Sequence, residues 1–307
     1  MFIETMEHLI KGAYDLHLQI APDLMERKLD DVEMAQRAIQ AGMAGFAPRS
    51  HYYPTIERCQ NINHVFNGEG SSSTKIHSVG SLVLNQSVGG INPTVVEIFA
   101  RSGGKIVWFP TQDSRHARAD LKSGKPIEKL PHWARIVLDM EANGIAAEEI
   151  YILDDQGNLK PEVLKVLEII KYHDLVLFTG NLSHEETFVL VKQAYQMGIQ
   201  KIVIALVDHP SVNYSIQEQE QLAKYGAYME HCYNTYASGK CDQEEAIKQI
   251  RAIGPDRVII SSDLGQPNGI YPDQGMLAYA ILLKDSGFNE EEIYQMMGGN
   301  AKKLLDI

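Results

Sequence analysis

The sequence is short of cysteine, and this scarcity argues against a disulfide framework. Its three cysteines, Cys59, Cys232 and Cys241, form no CxxC pair, and an odd number fits a reducing compartment. No run approaches the ~20 consecutive apolar residues that a transmembrane helix needs. Met1 to Lys11 also lack the apolar core of a secretory signal. These absences predict a cytoplasmic protein with no membrane partner.

Basic residues are also few, with 28 lysines and arginines against 40 acidic residues and a net charge of −12. Nucleic-acid binding needs a clustered basic surface, so we expect no nucleic-acid partner. Hydrophobic residues make up 44% of the 307, which is enough to bury a full core. We expect one domain over residues 1–307, and the sequence leaves open whether it forms a homo-oligomer.

The apolar residues fall into eight short runs separated by segments of helical period. Several runs are nearly continuous in apolar residues, which is typical of strands buried on both faces of a parallel sheet. Asp30 and the sequence Ser183–Glu186 mark the starts of two intervening helices. Eight strands alternating with helices predict an α/β fold, a (β/α)8 TIM-like barrel. The runs are Ala13–Gln19, Gly45–His51, Lys75–Asn85, Lys105–Thr111, Asp174–Asn181, Lys201–His209, Gly226–Tyr233 and Arg257–Asp263.

A longer segment, residues 112–172, separates the fourth and fifth runs. It begins with a polar, basic stretch and contains two predicted helices, one near Pro131–Asn143 and one from Pro161. Loops at the active-site end of a barrel often carry function. We interpret the segment as an elaborated connection that either covers the active site as a lid or is a plain surface insertion.

Polar side chains stand at the ends of the apolar runs, where the strands of a barrel build the active site. Alternation in the first run places Asp15, His17 and Gln19 on one face. His17 is either a metal ligand or a hydrogen-bonded core histidine. Asp263, at the end of the eighth run, could bind a metal and take a proton from water, or cap a helix.

Other run ends carry further candidates. His209 is interpreted as a ligand or proton shuttle, while His51 and Glu230 are either functional or make structural contacts only. A buried guanidinium needs an anionic partner. Arg49 would therefore bind a substrate carboxylate or neutralise an acidic neighbour, and Arg27 is a second candidate for anion binding.

These residues resemble the pattern of the amidohydrolase superfamily and, more closely, an uncharacterised amidohydrolase-related family of bacterial cytosolic proteins. The resemblance extends over nearly the whole chain. It rests on the stretches Tyr14–Asp23, Arg49–Thr55, Leu84–Pro93, Val107–Thr111, Thr179–Glu186 and Ser261–Gln266.

Three positions depart from the superfamily pattern. Gln19 stands where the second histidine of the first strand is expected, Arg49 where relatives would carry a lysine, and Asn181 in place of a histidine. Arginine cannot form the carbamate that bridges two metals, and amides are weak ligands for zinc. The resemblance therefore implies at most one divalent metal, held by His17, His209 and Asp263, with Glu230 or His51 as a further candidate ligand. Zinc is preferred, manganese or iron are alternatives, and no metal at all is a further one.

The sequence as a whole predicts a metal-dependent hydrolase of the amidohydrolase type that acts on a small, polar, anionic molecule. Two alternatives stay open: a metal-independent lyase or isomerase on the same barrel, and a non-catalytic small-molecule binder with a degenerate metal site. The predicted catalytic residues are Asp263, His209 and Glu230. The predicted substrate-binding residues are Arg27, Arg49, His51, Asn181, Asn85 and Gln19.

Overall fold

The computed structural model of the chain describes residues 6–68, 75–119, 121, 127–145 and 148–307. Every one of the eight predicted runs contains a β-strand. The third run contains two short strands, β3 and β4, on either side of Val79 and Gly80. The strands are β1 (Tyr14–Leu18), β2 (Gly45–Pro48), β3 (His77–Ser78), β4 (Ser81–Val83), β5 (Ile106–Trp108), β6 (Val176–Phe178), β7 (Ile202–Ile204), β8 (Tyr228–Cys232) and β9 (Val258–Ser261).

Helices follow the strands, as the sequence predicts. Asp30 and Ser183 each accept a hydrogen bond from a backbone N–H of the first helical turn, which confirms both predicted helix starts. None of the helices within the described residues is long and apolar enough to cross a membrane. The helices are α1 (Asp31–Gln40), α2 (Ile56–Asn67), α3 (Pro93–Arg101), α4 (Arg115–Ala119), α5 (His132–Ala142), α6 (Pro161–Tyr172), α7 (His184–Gln196), α8 (Ile216–Ala223), α9 (Tyr233–Ala237), α10 (Gln243–Ile253), α11 (Pro272–Asp285), α12 (Glu290–Tyr294) and α13 (Asn300–Leu305).

The strands pair in parallel, in the orders β1-β2-β3 and β4-β5-β6-β7-β8-β9. The ends of β1 and β9 are joined by backbone bonds from Asp263 N to the His17 carbonyl, at 2.7 Å, and from Gln19 N to the Leu264 carbonyl, at 2.8 Å. Gly265 permits this approach, because a Cβ at that residue would lie 1.5 Å from the Gln19 carbonyl oxygen. With β3 and β4 sharing one run, eight runs form the predicted (β/α)8 barrel, and the fold prediction is confirmed.

Apolar side chains fill the barrel. Leu16, Trp108, Phe178 and Val203 belong to one buried cluster, and the Trp108 and Phe178 rings stack with centroids 4.0 Å apart. Side chains of α13 join the same cluster beside residues that begin the strands. The end where the strands begin is therefore filled with apolar side chains, and the polar strand ends lie at the other end.

The segment between β5 and β6 contains α4, α5 and α6, and it is longer than the other connections. Residues 120, 122–126, 146 and 147 of the predicted insertion lie outside the described part of the chain. A 2.5 Å hydrogen bond joins His116 Nε2 to the carbonyl oxygen of Ser211, in the loop after β7. This bond ties the segment to the loop that carries His209, while its role as a lid stays a prediction.

Candidate active site

A cavity of about 700 Å³ lies at the carboxyl ends of the strands. Its volume falls within the range usual for small-molecule sites. Three further predicted residues, His17, Glu230 and Asn85, are completely or almost completely buried and bond to residues of this cavity or to one another. The predicted residues that line the cavity are Gln19, Arg27, Arg49, His51, Asn181, His209 and Asp263.

His17 lies between two carboxylates. Its Nδ1 is 3.1 Å from Glu230 Oε2, and its Nε2 is 3.1 Å from Asp263 Oδ1. Burial and the charge of Arg49 would lower the pKa of His17, but the two carboxylates outweigh them and raise it. The two carboxylates therefore favour the protonated ring, which lies against Trp108 with 4.7 Å between ring centroids.

The Asp263 side chain makes polar contacts with several residues at the cavity. Its Oδ1 accepts a hydrogen bond from Gln19 Nε2 at 3.1 Å and lies 3.8 Å from Arg49 Nη2, and its Oδ2 accepts one from Asn234 Nδ2 at 3.4 Å. Burial would raise the pKa of Asp263, but the charges of His17 and Arg49 hold it well below its usual range. When His17 is protonated, it and Arg49 balance the two carboxylates of the buried cluster, Asp263 and Glu230.

Cys232 is the residue of the site that sequence reasoning missed. Its Sγ lies 3.6 Å from His17 Nδ1, and burial and Glu230 raise the pKa of this thiol well above its usual value. Among the described residues, one group of three potential metal ligands lies mutually within 4.8 Å, and it consists of His17, Glu230 and Cys232. The signal was the spacing Glu230-x-Cys232, which puts both side chains on one face of β8.

His209 lines the cavity but lies outside this group of three. Its Nδ1 bonds to Ser211 Oγ at 2.7 Å and accepts from Ser211 N at 3.1 Å, so the proton of the neutral ring is on Nε2. Burial and the charge of Lys240 lower its pKa. The group within metal-binding range therefore shares only His17 with the predicted set of His17, His209 and Asp263.

Asp15 bonds to the backbone at the ends of β1 and β9. The pairing of β1 with β2 shifts register between Asp15 and Leu18, and such an irregularity breaks the period of two. Asp15 Oδ1 accepts hydrogen bonds from the backbone N–H groups of His17 and Ser262, at 3.2 and 3.0 Å. Its carboxylate therefore holds the backbones of β1 and the end of β9 together and does not orient the His17 ring.

His51 connects Arg49 to a second buried network. Arg49 Nη2 donates to His51 Nε2 at 3.1 Å, and His51 Nδ1 bonds to Thr111 Oγ1 at 2.7 Å. Arginine can only donate, so Nε2 is the acceptor and the imidazole carries its proton on Nδ1. Asn85 supports this arrangement with bonds to the His51 carbonyl and to Thr111 Oγ1, at 3.0 and 2.8 Å.

The state of His51 predicts a pH dependence of stability. Burial, and then the charge of Arg49, lower its pKa well below 6.5. Below pH 6.5 the unfolded chain takes up a proton that folded His51 does not, so stability is lost as the pH falls. We expect His51→Gln to reduce this loss by about 1.4 kcal/mol per pH unit. Urea unfolding of both proteins between pH 7 and 5 measures it, and parallel slopes would contradict the assignment.

Comparison with known proteins gives a family and a fold. The sequence profile of a family of unknown function, DUF6282, matches residues 12–230. A search of curated proteins finds no match. Similar solved structures include an amidohydrolase from Pseudomonas aeruginosa, with 11% identity over 97% of each chain and a TM-score of 0.59.

Two further structures are similar. The probable dipeptidase PvdM from Pseudomonas aeruginosa shares 14% identity over 98% of this chain and 96% of its own, with a TM-score of 0.59. An organophosphorus hydrolase from Deinococcus radiodurans shares 14% identity over 96% and 92%, with a TM-score of 0.52. At these identities the likeness establishes the fold alone. The chain belongs to the DUF6282 family and has the barrel fold of the amidohydrolase superfamily.

Proposed function

We propose that the protein is a metal-dependent hydrolase of the amidohydrolase type that acts on a small, polar, anionic molecule. The observation that carries this proposal is the position of His17. It is fully buried at the active-site end of the barrel, with carboxylates on both ring nitrogens and a thiol beside it. Barrel enzymes place their chemistry at this end, and a histidine with such neighbours has the donors of a metal site.

The residues around His17 fit one divalent cation. Imidazole, carboxylate and thiol are the donors that zinc prefers. Glu230 Oε1 is buried and has no hydrogen-bond partner among the described residues, so it offers a free lone pair. We propose His17, Glu230 and Cys232 as the ligands, with Asp263 on the other ring nitrogen of His17. The set of His17, His209 and Asp263 is the alternative.

The remaining polar residues have separate tasks in this proposal. When bound, the cation would make a water molecule a better nucleophile. Asp263 stays ionised and reaches the cavity, so its oxygen can accept the proton that the water loses. His209 carries its proton on the nitrogen that is not bonded to Ser211, so it can donate a hydrogen bond to the leaving group. The proton that Asp263 accepts from water can then pass to that group.

The charges of the cavity support an anionic substrate. The described residues that line it include three cations, Arg27, Arg49 and Lys240, and one carboxylate, Asp263. The whole chain, in contrast, carries a net charge of −12. A cationic cavity in an acidic protein attracts anions to the site. Gln19 and Asn181 contribute amide groups for further hydrogen bonds with a substrate.

A metal-independent reaction is the second candidate, and one observation favours it. The buried cluster is already neutral when His17 is protonated, because His17 and Arg49 balance Glu230 and Asp263. Such a cluster could transfer protons within a lyase or isomerase reaction. A non-catalytic binder would need the cavity but neither the imidazolium nor the ionised Asp263.

Metal content tests the proposal, and we predict at most one metal per chain. The fixed charge of Arg49, 3.8 Å from Asp263, opposes a second cation. Elemental analysis of protein purified without chelator should give a zinc content near one, and a content near two would contradict this prediction. A content near zero that zinc titration cannot raise would favour the metal-independent reaction.

Cobalt substitution distinguishes the two ligand sets. If Cys232 is a ligand, the cobalt protein should show a thiolate charge-transfer band that Cys232→Ser removes and His209→Gln leaves in place. A cobalt protein without that band, whose remaining absorption changes in His209→Gln and not in Cys232→Ser, would support His17, His209 and Asp263. Hydrolysis of a panel of small amides, lactones and esters that carry acid groups, measured with the zinc protein, then tests the reaction itself.

A further inference from the structure

Arg49 has an N–H group that forms no hydrogen bond within the described part of the chain. Its side chain is 4% exposed and lies against the cavity. Its Nη2 donates to His51 Nε2, but its Nε is buried without a hydrogen-bond partner among the described residues. Asp263 Oδ1, at 3.8 Å, is beyond hydrogen-bond distance. A buried guanidinium at a cavity wall that has an unpaired N–H group can form charge-assisted hydrogen bonds with an anion.

His51 explains why this N–H group stays free. Its acceptor nitrogen holds Arg49 Nη2 at 3.1 Å, and Thr111 and Asn85 hold the imidazole in turn. The face of Trp108 lies 5.0 Å from Arg49 Cζ. These contacts keep the guanidinium from forming a two-bond pair with Asp263. His51 is therefore a positioning residue for Arg49, since its lone pair is occupied and it has none to offer a proton or a metal.

We infer that Arg49, held by His51, binds a carboxylate group of the substrate that lies one or two covalent bonds from the bond that is broken. The place of the broken bond rests on the proposed function, whereas carboxylate binding itself does not. Charge-assisted bonds to a guanidinium are about 2.8 Å long. An acid group bound to Arg49 would thus lie beside any substrate atom that Asp263 can reach.

A carboxylate fits this position better than a phosphate does. The guanidinium presents a planar fork that matches a planar carboxylate. Asp263 and Glu230 lie in the same buried cluster, so a group with two negative charges would meet strong repulsion at short range. Arg27, the other arginine at the cavity, is already engaged by Asp23 through contacts of 2.8 and 2.7 Å.

The first experiment measures binding without metal or turnover. Protein labelled with [15N]arginine and treated with chelator is titrated with acetate and, separately, with inorganic phosphate. We expect a saturable downfield shift of the Arg49 Nε–H resonance with acetate and weaker binding of phosphate. An Arg49 resonance that acetate does not move, or tighter binding of phosphate, would overturn the inference.

Matched variants assign the binding to Arg49. Arg49→Lys keeps the charge and loses the fork, so acetate affinity should fall about tenfold or more. Arg37→Lys makes the same change at an arginine that Asp273 holds through two hydrogen bonds and that does not line the cavity, and it should leave affinity within about twofold. An unchanged affinity in Arg49→Lys would mean that the charge of the cavity binds the anion without a fork, and an equal loss in Arg37→Lys would assign the effect to the fold. If Arg49→Lys does not fold, the titration of the wild-type protein still decides.

Two variants of His51 test its positioning role. His51→Leu removes the acceptor and should weaken acetate binding, whereas His51→Gln can accept from Arg49 and should restore most of it. In wild-type protein, His51 should show the nitrogen shifts of a neutral imidazole protonated on Nδ1. Equal acetate affinities in the two variants would remove His51 from the site.

The number of bonds between the carboxylate and the broken bond is tested with the zinc protein and a series of monoamide acids: oxamate, malonamate, succinamate and glutaramate. The first two place the carboxylate one or two bonds from the amide carbon, and we expect them to bind most tightly. Tighter binding of the longer acids would overturn the inferred spacing.

The outcomes also separate the carboxylate site from the proposed function. If acetate binds at Arg49 but no metal binds, the proposed function fails and the carboxylate site stands. If zinc binds and amides are hydrolysed while acetate leaves the Arg49 resonance unchanged, the proposed function stands and the carboxylate site at Arg49 fails.

Discussion

His17→Asn should abolish tight zinc binding and strongly destabilise the protein. The substitution removes the imidazole that lies between Glu230 and Asp263, and it leaves these two buried carboxylates beside Arg49 alone. Breaking a buried charge pair costs about 3–5 kcal/mol. Zinc affinity should fall at least about 100-fold, since loss of a ligand outweighs the loss of a group that only supports one. Denaturant unfolding in chelator and competitive zinc titration measure the two effects.

His231→Asn is the matched control. His231 follows Glu230 on β8, is equally buried, and bonds through Nδ1 to the buried Asp208 at 2.9 Å. Its loss should destabilise the protein by a similar amount while zinc affinity stays within a few-fold. If His17→Asn binds zinc as tightly as the wild type does, then His17 is not a ligand. A parallel loss of affinity in the control would assign the effect to packing.

The fold could be predicted from the sequence because its signals are local. Continuous apolar runs such as Ile202–Ile204 and capped helix starts such as Ser183 recur along the chain, and each marks an element independently. The division of the third run into β3 and β4 could not be predicted. It arises where Gly80 packs against Ile56, so closely that a Cβ would lie 2.9 Å from the Ile56 backbone. Contacts between distant parts of the chain are not visible in a local pattern.

The sequence predicts where the site lies, but it does not predict every residue and contact within it. Residues at the strand ends meet because the barrel brings them to one end, and His17 and Asp263 meet although 246 positions separate them. Cys232 escaped notice because a single cysteine in a strand usually belongs to the core. The register shift at Asp15 is a property of pairing between strands, so the alternation of β1 alone could not indicate it.

The hydrogen bonds of Arg49 and His51 were the feature of the site that the sequence could least predict. A guanidinium near two carboxylates is expected to pair with one of them. In the structure, a histidine acceptor takes that bond instead, and the pairing depends on Thr111 and Asn85, which come from two other strand ends. Only the assembled network shows that Arg49 keeps a donor free.

If His17, His209 and Asp263 hold the metal, the double variant Gln19→His, Asn181→His should bind zinc more tightly than the wild type, by about tenfold or more. Both amides line the cavity with Asp263, and imidazole is a better ligand for zinc than an amide. Gln19 Nε2 now donates to Asp263 Oδ1 at 3.1 Å, so a histidine there would lie beside the carboxylate and the Nε2 side of His17.

The same variant should lose activity even as zinc affinity rises. If Gln19 and Asn181 bind the substrate through hydrogen bonds, their replacement leaves a buried polar group of the substrate without a partner. This loss costs much of the binding energy. Zinc titration and turnover are measured on the double variant and on each single variant, with Gln266→His, at another amide lining the cavity, as the control for adding an imidazole. An unchanged zinc affinity in the double variant would mean that Gln19 and Asn181 do not share a metal site with His17. A gain in both affinity and turnover would instead identify the two amides as lost metal ligands with no part in substrate recognition.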